Sequence, residues 1–252
     1  MLSARIFSFS FKPHMQQEPT TIWQDERIGH RFVEQDFDLD HWAGQADAQL
    51  LGGGRGGSVR FNLEGKSYVL RRYLRGGKMA ALLKDRYLWG GRDSSRPARE
   101  QRAIERALQH GLPVPPVAAW LTQRSGLYYR AAIISRFIPN LGTVASFLGE
   151  RALADDRWSA LGALIRRLHE AGIFHADLNA NNILIDTHDE FHLIDFDKAV
   201  LDGDANLGQD NLARLLRSLN KIGRGRVAEG KLWHFREADW MLLQSGYDAD
   251  GR

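Results

Sequence analysis

The stretch His175-Ala176-Asp177-Leu178-Asn179-Ala180-Asn181-Asn182-Ile183-Leu184, with Asp195-Phe196-Asp197 beginning thirteen residues after Asn182, leaves this chain few folds to choose from. Ile183-Leu184-Ile185 and Phe191-His192-Leu193-Ile194 flank Thr187-His188-Asp189-Glu190, the pattern of a β-hairpin. A hairpin brings its entry and its exit to the same end, so Asn182 and Asp195 must meet there. Asp177 lies five residues ahead of Asn182, at the start of the loop that leads into the hairpin. One carboxylate that orients and deprotonates a hydroxyl, with an amide and a second carboxylate that hold Mg²⁺ against ATP, is what phosphoryl transfer requires. Taken singly, Asp177 also suits a turn and Asn182 a loop. The two intervals and the apolar flanks together select the catalytic reading, with His175 as a packing residue rather than an acid–base group.

The residues upstream read as a small sheet. Gly52, Gly54, Gly57 and Val59 satisfy G-x-G-x-x-G-x-V, a loop whose bare backbone can approach phosphates. In a chain with 25 glycines that match alone is weak; its place just ahead of a strand hairpin strengthens it. A dinucleotide-binding reading is disfavoured, because a helix does not follow the glycines. Arg60 to Leu63 and Ser67 to Arg71 are the paired strands, with Glu64-Gly65-Lys66 as their turn. Arg71 stands where protein kinases carry a lysine, and its planar fork can hold phosphate oxygens or a carboxylate through two bonds. Arg72 points to the opposite face, as a surface residue. Ser95-Arg96-Pro97 opens a helix that Gly111 stops. Glu100, early on it, is the expected partner of Arg71, with Glu105 as the fallback. Leu112 to Pro116 is extended, Tyr128 to Phe137 is another strand, and Pro139-Asn140 breaks the chain.

Beyond that break the pattern turns helical. Trp158, Leu161, Leu164, Ile165 and Leu168 recur at helical steps before Gly172. A second helix runs from Asn211 to Leu219, and Trp233, Phe235, Trp240, Leu242 and Leu243 form a helical closing piece. The expected architecture is α+β and bilobal: a small antiparallel-sheet N-lobe over residues 21–137, a helical C-lobe over 138–252, ATP in the cleft, and residues 1–20 as an uncleaved leader. Only fifteen residues separate Asp195 from Asp210, without an A-P-E, so the activation segment is short and offers no peptide platform.

Composition narrows the setting. The chain has no cysteine, so it has neither a disulfide framework nor a thiolate zinc site. The longest run without a formal charge, Ala107 to Gln123, contains Pro113, Pro115 and Pro116 and cannot span a bilayer as a helix. Net charge is +3 but lopsided: residues 55–106 hold fourteen Lys/Arg against five Asp/Glu, or +9, while the remainder holds twenty against twenty-six, or −6. Such a basic segment suits anionic material, and it also suits a solvated helix face.

Departures from the protein-kinase pattern are informative too. Ala176 replaces the arginine that receives an activation-loop phosphate, so constitutive activity is expected. Asn179 suits a polyhydroxyl acceptor. Asp197 replaces the glycine after Asp195-Phe196, as a second carboxylate near the metal with Lys198 to balance it.

From about Leu50 onward the chain resembles the lipopolysaccharide-core kinases with a protein-kinase-like fold, most closely those acting on 3-deoxy-D-manno-octulosonic acid (Kdo). The marks are Gly54-Arg55-Gly56, Leu70-Arg71-Arg72-Tyr73, Arg75-Gly76-Gly77, Gly111-Leu112-Pro113-Val114-Pro115, the Asp177 loop and Asp195-Phe196-Asp197-Lys198. The resemblance implies ATP-dependent, Mg²⁺-assisted phosphorylation of the Kdo 4-hydroxyl on a lipid A precursor. Its implied partners are the lipid-linked acceptor and the anionic cytoplasmic face of the inner membrane, held peripherally, with no nucleic acid. Lys78 to Trp89 is then a candidate acceptor or bilayer contact, although core packing of its apolar face is the favoured reading. Arg92, Arg96, Lys198 and Lys84 are the cations open to the Kdo carboxylate. A core-heptose kinase, an atypical protein kinase and a non-catalytic scaffold are the alternatives, and oligomeric state leaves no trace.

Overall fold

The computed structural model describes residues 19–51, 57–74, 85–204 and 206–249. The expectations for the leader, for Gly52 and Gly54, for Lys84 and for most of the Lys78 to Trp89 segment lie outside the described residues.

The first part of the chain builds one antiparallel sheet. Its elements are β1 (Thr20–Gln24), helix α1 (Leu39–Ala43), β2 (Gln49–Leu51), β3 (Ser58–Leu63), β4 (Lys66–Arg72), β5 (Tyr87–Leu88), helix α2 (Arg96–Gln109), β6 (Val117–Ser125) and β7 (Tyr128–Arg136). Strand order is β1-β6-β7-β4-β3-β2, with β5 added to one end of β7. The β3–β4 turn is Glu64-Gly65, both at positive φ (50° and 72°), the geometry that matches the twist of a two-residue hairpin. Alternation on β4 sends Tyr68 and Leu70 into the core and leaves Val69 and Arg71 on the other face.

Each face of the sheet has its own cover. On one side Phe32, Phe37 and Trp42 pack over Phe61, Tyr68, Leu70 and Ile134, with Trp42 stacked on Phe61 at 3.8 Å between ring centres. On the other lies α2, whose buried stripe Ala98, Ala103, Ile104 and Ala107 is mostly small. Small residues let a helix approach a sheet closely. The helix opens after Ser95 with Pro97 in its first turn, and Gly111 at φ 64° turns the chain out of it.

The second part is helical around a short three-stranded sheet: β8 (Asn140–Thr143), α3 (Val144–Leu148), α4 (Asp155–Glu170), β9 (Ile173–Phe174), β10 (Ile183–Asp186), β11 (Phe191–Leu193), β12 (Val200–Leu201), α5 (Asn206–Ala228) and α6 (Glu237–Asp248). The hairpin is β10–β11, with β8 on the outer side of β10. α4 buries Trp158, Leu161, Leu164, Ile165 and Leu168, and Gly172 at φ 69° closes it. α4 and α6 cross closely: a Cβ on Gly162 would overlap the Leu243 carbonyl, and one on Gly246 the Ser159 carbonyl.

Two readings need correction. α5 is far longer than Asn211 to Leu219, because Gly223 seats the Trp233 ring and lets the helix continue past its leucine stripe. Trp233 and Phe235 precede α6 rather than lie on it; Phe235 sits 5.5 Å from the Trp158 ring and plugs the end of α4.

Candidate active site

Hydrogen bonds lock the loop ahead of the hairpin from within. Leu178 and Ala180 are fully buried, which pins the loop backbone. The Asp177 carbonyl accepts from the side-chain amides of both Asn179 (2.8 Å) and Asn182 (3.0 Å). Asn179 Oδ1 accepts from the Asn181 N–H at 2.9 Å. Asn179 is therefore spent on loop backbone, which revises its reading as an acceptor contact. For Asn182 the consequence is sharper. Since only the NH₂ end can donate to a carbonyl, Oδ1 is its uncommitted acceptor.

Asp195 arrives from the other strand. The Ile194 N–H donates to the Asn182 carbonyl at 3.0 Å, closing the hairpin at the level of both residues. Asp195 adopts left-handed backbone (φ 66°, ψ 61°), a conformation that costs an L-residue about 1–2 kcal/mol and that Asp tolerates better than most. Its Oδ1 is buried, lies 3.1 Å from Arg71 Nη1, and makes no well-aligned hydrogen bond. A buried carboxylate oxygen with no aligned donor, lining the same cleft as an uncommitted amide oxygen, fits a hard divalent cation that takes a few protein oxygens and completes its shell with phosphate and water. Among the described residues no group of three or more His, Cys, Asp or Glu gathers into a metal cluster. His175 is buried, and its Nε2–H donates to the Ile194 carbonyl at 2.9 Å. Burial pushes its imidazole below the ordinary 6.5, so it stays neutral and structural.

Arg71 reaches the same cleft from β4. Its Nη2 donates to both Glu100 oxygens at 2.6 Å, which makes Glu100 the partner; Glu105 instead accepts from Gln101. Burial raises the Glu100 carboxyl and Arg71 opposes the rise. Burial likewise works against the Arg71 cation, but Glu100 and Asp195 together outweigh it and hold the guanidinium well above its usual value. The carboxylate of the pair is buried while the guanidinium stays open to the cleft.

Several neighbours were not foreseen. The Tyr73 hydroxyl donates to Glu100 at 2.5 Å, and its ring lies under the Arg71 guanidinium, 4.9 Å away; strand alternation from Arg71 is the signal that would have found it. Arg96 Nε donates to Asp197 Oδ1 at 2.6 Å and its Nη2 to Oδ2. Asp197 is therefore neutralised by Arg96, not by Lys198, which is exposed. Nothing local announces that pair, since 101 residues separate its members. Arg72 does lie on the other face, half-exposed, 3.5 Å from Asp85.

Between the sheet and the helical part lies a cleft of about 650 Å³, lined by Val69, Arg71, Ile138, Asn182, Leu184 and Asp195 among others. Gly57 adjoins its roof, with its carbonyl accepting from the Arg72 N–H at 2.9 Å. Asp177 opens on a different groove of about 540 Å³, whose far wall is α5. Asn182 and Asp195 thus line the larger, more apolar cavity, while Asp177, five residues ahead of Asn182, lines the second.

Comparison with known proteins bears on this geometry. Residues 40–247 match the model of the lipopolysaccharide kinase (Kdo/WaaP) family. The chain is 34% identical over 222 residues to the 3-deoxy-D-manno-octulosonic acid kinase of Vibrio parahaemolyticus serotype O3:K6, covering 88% of this chain and 91% of that one. It is 39% identical over 232 residues to the protein of that name from Stenotrophomonas maltophilia strain R551-3, covering 90% and 88%. With the one from Xanthomonas axonopodis pv. citri it shares 42% over 216 residues, covering 84% and 83%. Among solved structures, WaaP in complex with acyl carrier protein superposes with a TM-score of 0.55 at 16% identity, over 90% of this chain and 88% of that one. That likeness bears on the fold alone, and it agrees with the α+β kinase-like architecture.

Proposed function

The chain belongs to the lipopolysaccharide kinase (Kdo/WaaP) family, and from that premise we propose that it transfers the γ-phosphoryl group of ATP to the 4-hydroxyl of a Kdo residue on a lipid A precursor during assembly of the lipopolysaccharide inner core. The observation that carries the reading is the gathering of Asp177, Asn182 and Asp195 at one end of a hairpin, where the Asn182 amide donates to the Asp177 carbonyl and the Ile194 N–H, next to Asp195, donates to the Asn182 carbonyl. ATP occupies the cleft between an N-lobe of residues 21–137 and a C-lobe of 138–252. Asp177 orients the acceptor hydroxyl and takes its proton as the new P–O bond forms. Arg71, steadied by Glu100, presents its cation to the phosphate oxygens, and the Gly52, Gly54 and Gly57 loop covers them. Asn182 Oδ1 and Asp195 are the groups that would hold Mg²⁺, which when bound neutralises charge on the transferring phosphate.

The enzyme works as a peripheral protein on the cytoplasmic face of the inner membrane. In support, among the described residues no helix is long and apolar enough to cross a bilayer. Leu88 and Leu127 stand 68% and 75% exposed at one tip of the sheet, with Arg124 over the neighbouring Trp89 ring.

Incubation with ATP, Mg²⁺ and Kdo-lipid IVA is expected to add one phosphate to the product mass, whereas heptosylated core and a generic protein gain none. Asp177→Ala keeps the circular dichroism of the native fold and loses about 10²–10⁴-fold in kcat. Full turnover by that variant, or transfer only to the other acceptors, removes the assignment.

A further inference from the structure

The groove beside Asp177 is walled by a row of cations that nothing described above uses. α5 buries Asn211, Leu212, Leu215, Leu219 and Gly223, and the adjoining face carries Arg214, Arg217 and Lys221, all exposed. Arg214 Nη1 lies 3.5 Å from Asp177 Oδ1, an ion pair at the outer limit of a hydrogen bond. With side chains 48% and 38% exposed, that contact contributes little by itself. Arg217 and Lys221 have no carboxylate within ion-pair reach among the described residues, although both line the groove. Arg226, on the same wall, is different: its guanidinium is committed to the Gly149 and Leu232 carbonyls, each at 2.9 Å. The groove's other carboxylate, Glu229, is paired with Lys231 at 2.7 Å; cations three and four apart on a helix repel one another by a few tenths of a kcal/mol per pair, so a row with only the weak Asp177 contact is relieved when an anion binds.

On the reading of the protein as a Kdo kinase, we propose that Arg214, Arg217 and Lys221 form the acceptor's oxyanion site, and that its ligand is the carboxylate of the sugar acid. The groove begins at the base, so an anion held there belongs to the molecule whose hydroxyl Asp177 receives. Kdo bears its carboxylate two ring carbons from the hydroxyl that is phosphorylated, close enough for Arg214 to hold one while Asp177 beside it meets the other. Arg214 exchanges a weak contact with Asp177 for a planar, two-bonded contact with the carboxylate. Of the cations that the sequence left open for this role, Arg96 is tied to Asp197, Arg92 lies over the Trp120 ring, Lys198 is exposed and does not line this groove, and Lys84 lies outside the described residues.

The test combines protein variants with altered acceptors. Wild type, Arg214→Ala and the pair Arg217→Ala/Lys221→Ala are assayed with Kdo-lipid IVA, with the same acceptor lacking its lipid phosphates, and with the Kdo methyl ester, which removes the acid's charge; acceptor binding without ATP is measured alongside. A charge-assisted, two-bonded contact is worth about 10- to 100-fold. Each variant is therefore expected to raise the acceptor KM by about that factor while the ATP KM holds within about twofold. The methyl ester should be equally poor with wild type and no poorer with Arg214→Ala, the mark of a shared interaction. Dephosphorylation of the lipid should leave the effect of Arg214→Ala intact. The proposal is overturned if the variants change only kcat or the ATP KM, which would make the row a phosphate clamp on the nucleotide. It is overturned also if the loss follows the lipid phosphates rather than the ester. Wild type that neither binds nor phosphorylates any Kdo acceptor overturns the kinase reading and this site with it, whereas transfer by wild type with unaffected variants overturns this site alone.

Discussion

At the scale of single residues the site depends on charges that are paired before any ligand arrives. Arg71 lies between two carboxylates, donating twice to Glu100 from Nη2 and pairing with Asp195 at 3.1 Å from Nη1, so its separated N–H groups face both at fixed spacing. Arg71→Lys keeps the cation but replaces the fork with a point charge. We expect a kcat lower by about 10-fold or more and a higher ATP KM, the loss typical of one charge-assisted contact; steady-state kinetics at wild-type values would refute the division of labour. A second prediction concerns pH. His175 and His169 are both held below 6.5 by burial. The unfolded chain therefore binds protons that the folded one resists, so stability is complete above about pH 6.5 and falls as pH drops through the folded-state values. Denaturant midpoints at pH 7.5 and 5.5 should differ in that direction, and a midpoint that rises on acidification contradicts the assignment. The placement of Asp177, Asn182 and Asp195 at one hairpin end, and of Arg71 against Glu100, was legible because fixed spacings and strand alternation carry it. The Arg96–Asp197 and Arg214–Asp177 contacts were not, since each joins residues of different elements far apart in sequence.

At the scale of elements, legibility follows how a segment buries its surface. The β3–β4 and β10–β11 hairpins, α2 and α4 are evident because each has one buried face and marked ends. β6 escaped: Val117 to Trp120 is buried on both faces, so it shows no alternation to read. The cover formed by Phe32, Phe37 and Trp42 escaped because it hangs on Asp36, a buried acid that accepts from the Val33 N–H at 2.8 Å. The α4–α6 crossing was also hidden, since glycine in a helix ordinarily signals weakness. Here Gly162 and Gly246 are the contact, each facing backbone of the other helix. Backbone cannot rotate away as a side chain can. Gly162→Ala should therefore destabilise by at least about 2 kcal/mol despite the helix propensity it gains. Gly225→Ala, on α5 with nothing within 4 Å of its added methyl, should be neutral or stabilising by up to about 1 kcal/mol. Urea titration of both variants checks the contrast, and similar midpoints would mean the helices part more readily than their packing implies.

At the scale of the whole molecule the charge is polarised, with +9 on residues 55–106 and −6 on the remainder. On the proposed reading of a peripheral membrane enzyme, an anionic bilayer attracts the surface to which this basic segment contributes, and electrostatics would orient the molecule before any side chain inserts. Leu88 belongs to the basic segment, and the Trp89 N–H donates to the Leu127 carbonyl at 2.9 Å, which fixes both exposed leucines in one knob. Fixing matters, because an insertion surface held by paired strands loses little conformational freedom on binding. Burying one leucine side chain contributes about 1.5–3 kcal/mol, roughly tenfold or more in partition. Leu127→Asp should lower co-sedimentation with vesicles containing anionic lipid by about that factor and leave turnover on a detergent-dispersed acceptor unchanged. Raising salt from 0.05 to about 0.5 M should weaken binding of wild type as the screening length shortens. If Leu127→Asp sediments as wild type does, the knob is not the inserted surface; if salt has no effect, the polarised charge plays no part in the proposed membrane association.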